Sequence, residues 1–269
     1  MIERIHKTLK EDLERIRTEK PLIHHLTNFV AMNDSANITL AIGASPVMSH
    51  AHEEVQEMVA AASALLINIG TLDEYWIQSM LLAGRKANEL NIPVLLDPVG
   101  AGATKLRSDA ASNLMNEVNF TIIKGNYGEI LSLAGGEGAV KGVDSASEDF
   151  DAELLRNFAE RMNGVAVATG KYDYFSDGKS VFRLENGHEL LASITASGCM
   201  LGSVIASFMA VQSDALLAAI EGAACYAIAG ELAAVKSAGM GSFRTNLMDE
   251  VAALNAETVL ERMRLEEVL

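Results

Sequence analysis

The segment SITASGCMLGS, residues 193–203, places Thr195, Ala196, Ser197, Gly198 and Cys199 just before a stretch that turns apolar and helical. Small residues at a helix start keep side-chain bulk away from the first N–H groups, which together with the helix dipole bind anions. Thr195 or Ser197 is the expected N-cap, so the N–H groups at 197–199 face the anion, with Thr195 and Gly198 beside it. Cys199 then falls in the first turn, where the helix terminus lowers a thiol pKa and a neighbouring phosphate raises it again. The same residues also fit a plain loop-to-helix junction holding a small buried cysteine.

Further chemistry sits where short apolar runs end. Asp97 closes IPVLLDPVG and is followed by Pro98, which stops a strand and sets a turn. A carboxylate there binds a hydrated Mg²⁺ or orients a nucleophile, or simply caps the turn. Lys124-Gly125-Asn126-Tyr127-Gly128-Glu129 follows the next run. There Asn126 and Glu129 have the spacing of a capping box, while Lys124 could meet a phosphate and Glu129 a metal-bound water. Thr169 and Gly170 end GVAVATG and offer a hydroxyl and a close backbone approach. Two familiar nucleotide motifs fail: DPVGAGAT has Lys105 where the dinucleotide fingerprint needs a third glycine, and ATGKY has Tyr172 where the P-loop needs a hydroxyl.

These residues need a scaffold that brings strand ends together. Apolar runs at 21–27, 44–49, 64–70, 92–100, 120–126 and 164–170 alternate with helical patterns near 50–63, 73–90, 104–118 and 148–162. Most runs are apolar throughout, as parallel strands covered on both faces are. The reading is an α/β layered fold with a mainly parallel central sheet and helices on both faces, whose ligands sit beyond the carboxyl ends of the strands. DYFSDGKSVFRLE (173–185) reads as an antiparallel hairpin closing one edge, 137–151 as a surface loop, and the chain after 198 as helical to a closing amphipathic helix. Gly198, Gly202 and Ala206 recur at four-residue steps, allowing one helix face to approach another backbone closely.

Bulk properties bound the partners. The 269 residues read as a single domain, 1–269, and a net charge of −15 repels a nucleic-acid backbone or an anionic membrane. Any phosphate must be held by local devices. Cys199 and Cys225 form no CxxC, so neither a disulfide framework nor a zinc site is expected. The amphipathic N-terminus does not read as a signal peptide, no apolar run is expected to reach the roughly 20 residues of a membrane span, and a cytoplasmic location is expected.

Over nearly the whole chain, HHLTNFVAMNDSANITLAIGASPVMSH, LLDPVGAGATKLR, IIKGNYGEI, VAVATGKYD and ITASGCMLGSVIASF occur in an order and spacing that resemble the hydroxyethylthiazole kinase family, of ribokinase-like fold. The resemblance implies ATP-dependent phosphorylation of the hydroxyl of 4-methyl-5-(2-hydroxyethyl)thiazole with Mg²⁺, in a homotrimer with interfacial active sites. Carried over by motif, Met48, Asn28 and Ala196 contact the substrate. Lys124 and Thr169 contact ATP phosphates, Asp97 and Glu129 support Mg²⁺ and its waters, and Cys199 stands at the position of the catalytic base; Thr195 and Gly198 join the ATP-binding set from the reading of the helix start. Two departures are Ala196, where relatives often have Gly, and Lys124, where many have Arg, a planar fork exchanged for a point charge.

Other readings remain at this stage. The phosphate machinery would serve a hydroxymethylpyrimidine or pyridoxal kinase equally well, or a nucleotide sensor without catalysis. A thiol hydrolase using Cys199 would need a base among His24, His25, His50 or His52. His50-Ala51-His52-Glu53 matches no common zinc spacing.

Overall fold

The computed structural model describes residues 1–135 and 150–269. The loop expected at 137–151 lies outside the described residues up to 149. The strands are β1 (Leu22–Leu26), β2 (Ser45–Val47), β3 (Ala64–Asn68), β4 (Val94–Asp97), β5 (Ile122–Asn126), β6 (Val165–Thr169), β7 (Asp173–Ser176), β8 (Val181–Leu184) and β9 (Leu265–Glu267). They form one sheet in the order β2-β1-β3-β4-β5-β6-β7-β8-β9. Pairings from β2 to β6 are parallel and those from β6 to β9 antiparallel.

Strand side chains alternate between two cores. Leu66, Leu95 and Ile122 enter a core built with α1 (Ile2–Glu19), α2 (Met32–Ile42), α9 (Ser197–Met209), α10 (Ala215–Val235), α11 (Met240–Ala253) and α12 (Ala256–Arg262). Leu65, Ile67, Val94 and Leu96 face α3 (Val55–Ala61), α4 (Glu74–Leu90), α5 (Lys105–Glu117), α6 (Tyr127–Gly135) and α7 (Ala152–Met162). A short α8 (Leu190–Ser193) precedes α9. Burial on both faces explains why the strands are apolar throughout, each such side chain contributing roughly 1.5–3 kcal/mol.

Several expectations are corrected. The hairpin β7–β8 forms, turning through Gly178 at φ 85°, but β9 from the end of the chain lies outside it and takes the edge. The small-residue face of α9 meets the sheet: a Cβ on Gly202 would lie 3.5 Å from Leu66 Cδ1. Close helix contact comes instead through Gly222 of α10, where a Cβ would lie 2.9 Å from Ile205 Cα. The expectation that no apolar run is long enough for a bilayer fails for α10, with 21 residues and a window of mean hydropathy 1.5. Burial accounts for that composition, because 83% of the window lies inside the protein. The helix also carries the buried Glu221, whose Oε1 accepts a 2.5 Å hydrogen bond from Thr8 Oγ1 and whose carboxyl burial pushes up.

Candidate active site

The carboxyl ends of β1, β3, β4, β5 and β6 meet the N-terminus of α9. Its N-cap is Ala196, correcting the expectation of Thr195 or Ser197. Ala196 is in the left-handed region at φ 65°, unusual for a residue with a Cβ, and no side chain caps the helix. The first helical bond runs from Met200 N–H to Ala196 O at 2.8 Å, and among the described residues the N–H groups of Ser197, Gly198 and Cys199 have no acceptor. A cap at Thr195 is not needed because the left-handed turn at Ala196 already starts the helix. Thr195 is exposed.

Beside this turn lies a cavity of about 750 Å³ lined by Thr169, Gly170, Ala196, Ser197, Gly198 and Tyr226, among others. Of the residues expected to bind ligand, Thr169, Ala196 and Gly198 line it, whereas Asn28, Met48, Lys124 and Thr195 do not. Met48 is half-buried just past β2. Thr169 Oγ1 donates to Gly125 O at 3.3 Å, and Ser197 Oγ and Tyr226 Oη are hydrogen-bonded at 3.1 Å. Asp173 sits in the cavity wall, where burial pushes its carboxyl up to about 7 against the Gly170 N–H and the Lys124 charge.

On the other side of the α9 turn, buried polar groups converge. Asn28 Nδ2 donates to Asn68 Oδ1 at 2.8 Å and to Cys199 Sγ at 3.4 Å. Asn68 Nδ2 donates to Asp97 Oδ2 at 2.8 Å and to Cys199 Sγ at 3.2 Å. Lys124 is buried, pairs with Asp97 Oδ2 at 3.2 Å and donates to Gly198 O at 2.9 Å. Thus Asn28, Asp97, Lys124 and Cys199 come together from four segments. Asn68, which joins them, went unnoticed in the sequence because it ends an otherwise apolar strand.

Electrostatics follow from this burial. Asp97 is pushed up to about 6 by burial, with Lys124 pulling down and Glu129 pushing up. Burial would lower the Lys124 ammonium, but Asp97, Cys199 and Glu129 outweigh it and hold it above its ordinary value. The Cys199 thiol is raised, not lowered as expected from the helix terminus. Burial is the largest cause and the nearby Asp97 adds to it, overcoming Lys124 and the two asparagine donors. The sulfur's described hydrogen bonds come from Asn28 and Asn68, with no histidine among them. His24 bonds Ser49 O at 2.7 Å, and His25 meets Thr39 Oγ1 at 3.3 Å. His50 stacks on Trp76, and His52 on Tyr75.

Glu129 forms the expected capping box: Asn126 N–H donates to Oε2 at 2.8 Å, and Glu129 N–H donates to Asn126 Oδ1 at 2.9 Å. Its Oε1 also accepts from Gly100 N–H at 2.8 Å, tying the loop after β4 to the one after β5. Arg107 is a second tie, donating to Ile69 O, Gly70 O and Val99 O at 3.1, 2.7 and 2.6 Å. The donor set suits Mg²⁺, which takes one or two carboxylate oxygens and keeps waters and phosphates as its other ligands. Asp97 uses only Oδ2 in its described bonds and leaves Oδ1 open.

The hydroxyethylthiazole kinase family model matches residues 13–257. The chain is 58% identical over 268 residues to the hydroxyethylthiazole kinase of Archaeoglobus fulgidus, covering 100% of this chain and 99% of that one. The solved hydroxyethylthiazole kinase protein of Pyrococcus horikoshii superposes with a TM-score of 0.89 at 41% identity, over 98% of this chain and 100% of that one. A ribokinase-like superfamily protein from Enterococcus faecalis superposes at 0.63 with 12% identity, over 92% of this chain and 95% of that one, a likeness of fold alone.

Proposed function

Because this chain belongs to the hydroxyethylthiazole kinase family, we propose a mechanism in which it transfers the terminal phosphoryl group of ATP to the hydroxyl of 4-methyl-5-(2-hydroxyethyl)thiazole, supplying thiazole phosphate for thiamine. The observation that carries the mechanism is the open first turn of α9 between the cavity and the Asn28–Asn68–Cys199 cluster. In this reading the nucleotide occupies the cavity, with Thr169 and Gly198 at its phosphates. The thiazole lies toward Asn28, Met48 and Ala196, and the chain acts as a single domain, 1–269.

Phosphoryl transfer is mainly positioning and charge neutralisation, so the amide groups at 197–199 and the Lys124 ammonium supply the main protein terms. Asp97, with Glu129 supporting through water, would hold Mg²⁺. When bound, that ion neutralises phosphate charge. Cys199 Sγ, in its thiolate form, takes the hydroxyl proton. A loose transition state places little positive charge on the attacking oxygen, so the proton leaves late. The raised thiol pKa makes the thiolate scarcer at neutral pH and a stronger base where it forms. Its share is about 10²-fold, the low end of general-base catalysis.

Exposed Phe29 and Val30, next to Asn28, support a homotrimer whose sites lie at subunit interfaces, and the family's metabolic role supports a cytoplasmic location. ATP consumption with Mg²⁺ across thiazole, pyrimidine, pyridoxal and sugar alcohols tests the assignment. Turnover is expected with the thiazole alcohol, and preference for another alcohol contradicts it.

A further inference from the structure

Asn68 ends β3 in register with Asp97 of β4 and is 1% exposed. Its amide uses every hydrogen-bonding position it has. Oδ1 accepts from Asn28 Nδ2 at 2.8 Å and from Gly70 N–H at 3.0 Å. Nδ2 donates one bond to Asp97 Oδ2 and one to Cys199 Sγ. The orientation is determined, because a backbone N–H can only donate and must face the amide oxygen, while a carboxylate at the other end must face the nitrogen. The side chain therefore stands between the sulfur and the carboxylate, in contact with both.

We propose that Asn68 is a positioning residue for phosphoryl transfer, its amide nitrogen holding the Cys199 sulfur and Asp97 Oδ2 in one fixed arrangement. This rests on the reading of Cys199 as the proton acceptor. Two consequences follow from the geometry. A donor on the sulfur favours the thiolate when the proton leaves and separates it from the Asp97 charge. Commitment of Asp97 Oδ2 to Asn68 and Lys124 leaves Oδ1 as the oxygen available to a cation. Asn68 thus links the alcohol side of the site to the phosphate side, while its oxygen half braces Asn28 and the turn at Gly70.

Asn68→Asp separates these halves: the oxygen facing Asn28 and Gly70 is kept, and the donor facing Cys199 and Asp97 is lost. Turnover and thiol alkylation are measured on the full chain, alkylation by iodoacetamide at one fixed pH without substrate. Cys225 is fully buried, so labelling reports Cys199. The variant should lose about 10²-fold in kcat with KM for both substrates changed less than about threefold. Alkylation should slow about tenfold. A folded variant with kcat and alkylation within about twofold of the parent overturns the proposal, as does a kcat loss matching the unfolded fraction with alkylation unchanged. Asn68→Ala, which adds no charge, is judged by the same outcomes should the aspartate variant fail to fold. If the parent chain does not phosphorylate the thiazole alcohol, the functional reading fails, and the substrate-free alkylation comparison still decides the role of Asn68.

Discussion

Two consecutive helices that pack together start in opposite ways. At α10, Asp214 accepts from Leu216 N–H and Leu217 N–H at 3.0 and 3.1 Å and pairs with Arg4. That end is closed by a side chain, near the amino ends of the strands. At α9, at the carboxyl ends, no side chain caps the helix and the N-cap is a left-handed alanine. Donors left open beside a cavity and a lysine are available to a ligand, whereas donors already satisfied are structural. The difference separates a helix terminus that holds the fold from one that serves a reaction.

The comparison breaks most sharply if the open end is closed. Gly198→Asp puts a carboxylate in the first turn, where a Cβ would lie 3.3 Å from Lys124 Nζ. The dipole and the lysine welcome that charge, so the fold should be unharmed while kcat/KM for ATP falls about 10²–10³-fold. Steady-state kinetics alongside a thermal melt check both halves.

Next in size, Cys199→Ala should lower kcat by about 10²-fold. Cys199→Asp should keep activity or raise it, since Asn28 and Asn68 present donors to a carboxylate as they do to sulfur. Loss of most turnover in a folded Cys199→Asp variant would contradict the base role and match a thiol nucleophile. Because the thiol is raised in the resting protein, the parent's rate should climb as pH rises above neutrality, a slope the aspartate variant should lack.

Much of this arrangement was legible in the sequence and some was not, for physical reasons. Buried parallel strands wrote themselves as apolar runs, and the reciprocal Asn126–Glu129 cap is a local pattern. Helix α2 was missed because its polar residues are buried too: Asp34 pairs with Arg244, which lies on α11. The left-handed turn at Ala196 has no signature in a residue that normally avoids it. The direction of the Cys199 shift depends first on its burial and then on Asp97 and Lys124, contributed by strands far away in the chain, and Asn68 acquires its role only where four segments meet.

The closed end gives smaller effects. Asp214→Ala removes a cap worth about 1 kcal/mol. It should lower the melting temperature by about 2–4 °C. Kinetic constants should not change, and a loss of turnover would erase the distinction between the two ends.

Of similar size, and confined to one side of neutrality, is a pH effect in the cavity wall. Asp173 is held at about 7, above its unfolded value of 3.8, so the folded state binds its proton more tightly and loses stability as pH rises between them. Asp173→Asn keeps an oxygen for Gly170 N–H and should melt a few degrees, about 2–4 °C, above the parent at pH 8. The advantage should vanish at pH 4, and an equal gain at both values would contradict the shift.

The most direct test of the open terminus is a crystal structure with a non-hydrolysable ATP analogue and the thiazole alcohol. Terminal phosphate oxygens are expected about 2.7–3.1 Å from the amide nitrogens at 197–199, with the alcohol oxygen near Cys199 Sγ. Phosphates bound elsewhere, with those amides facing only solvent, would contradict the account.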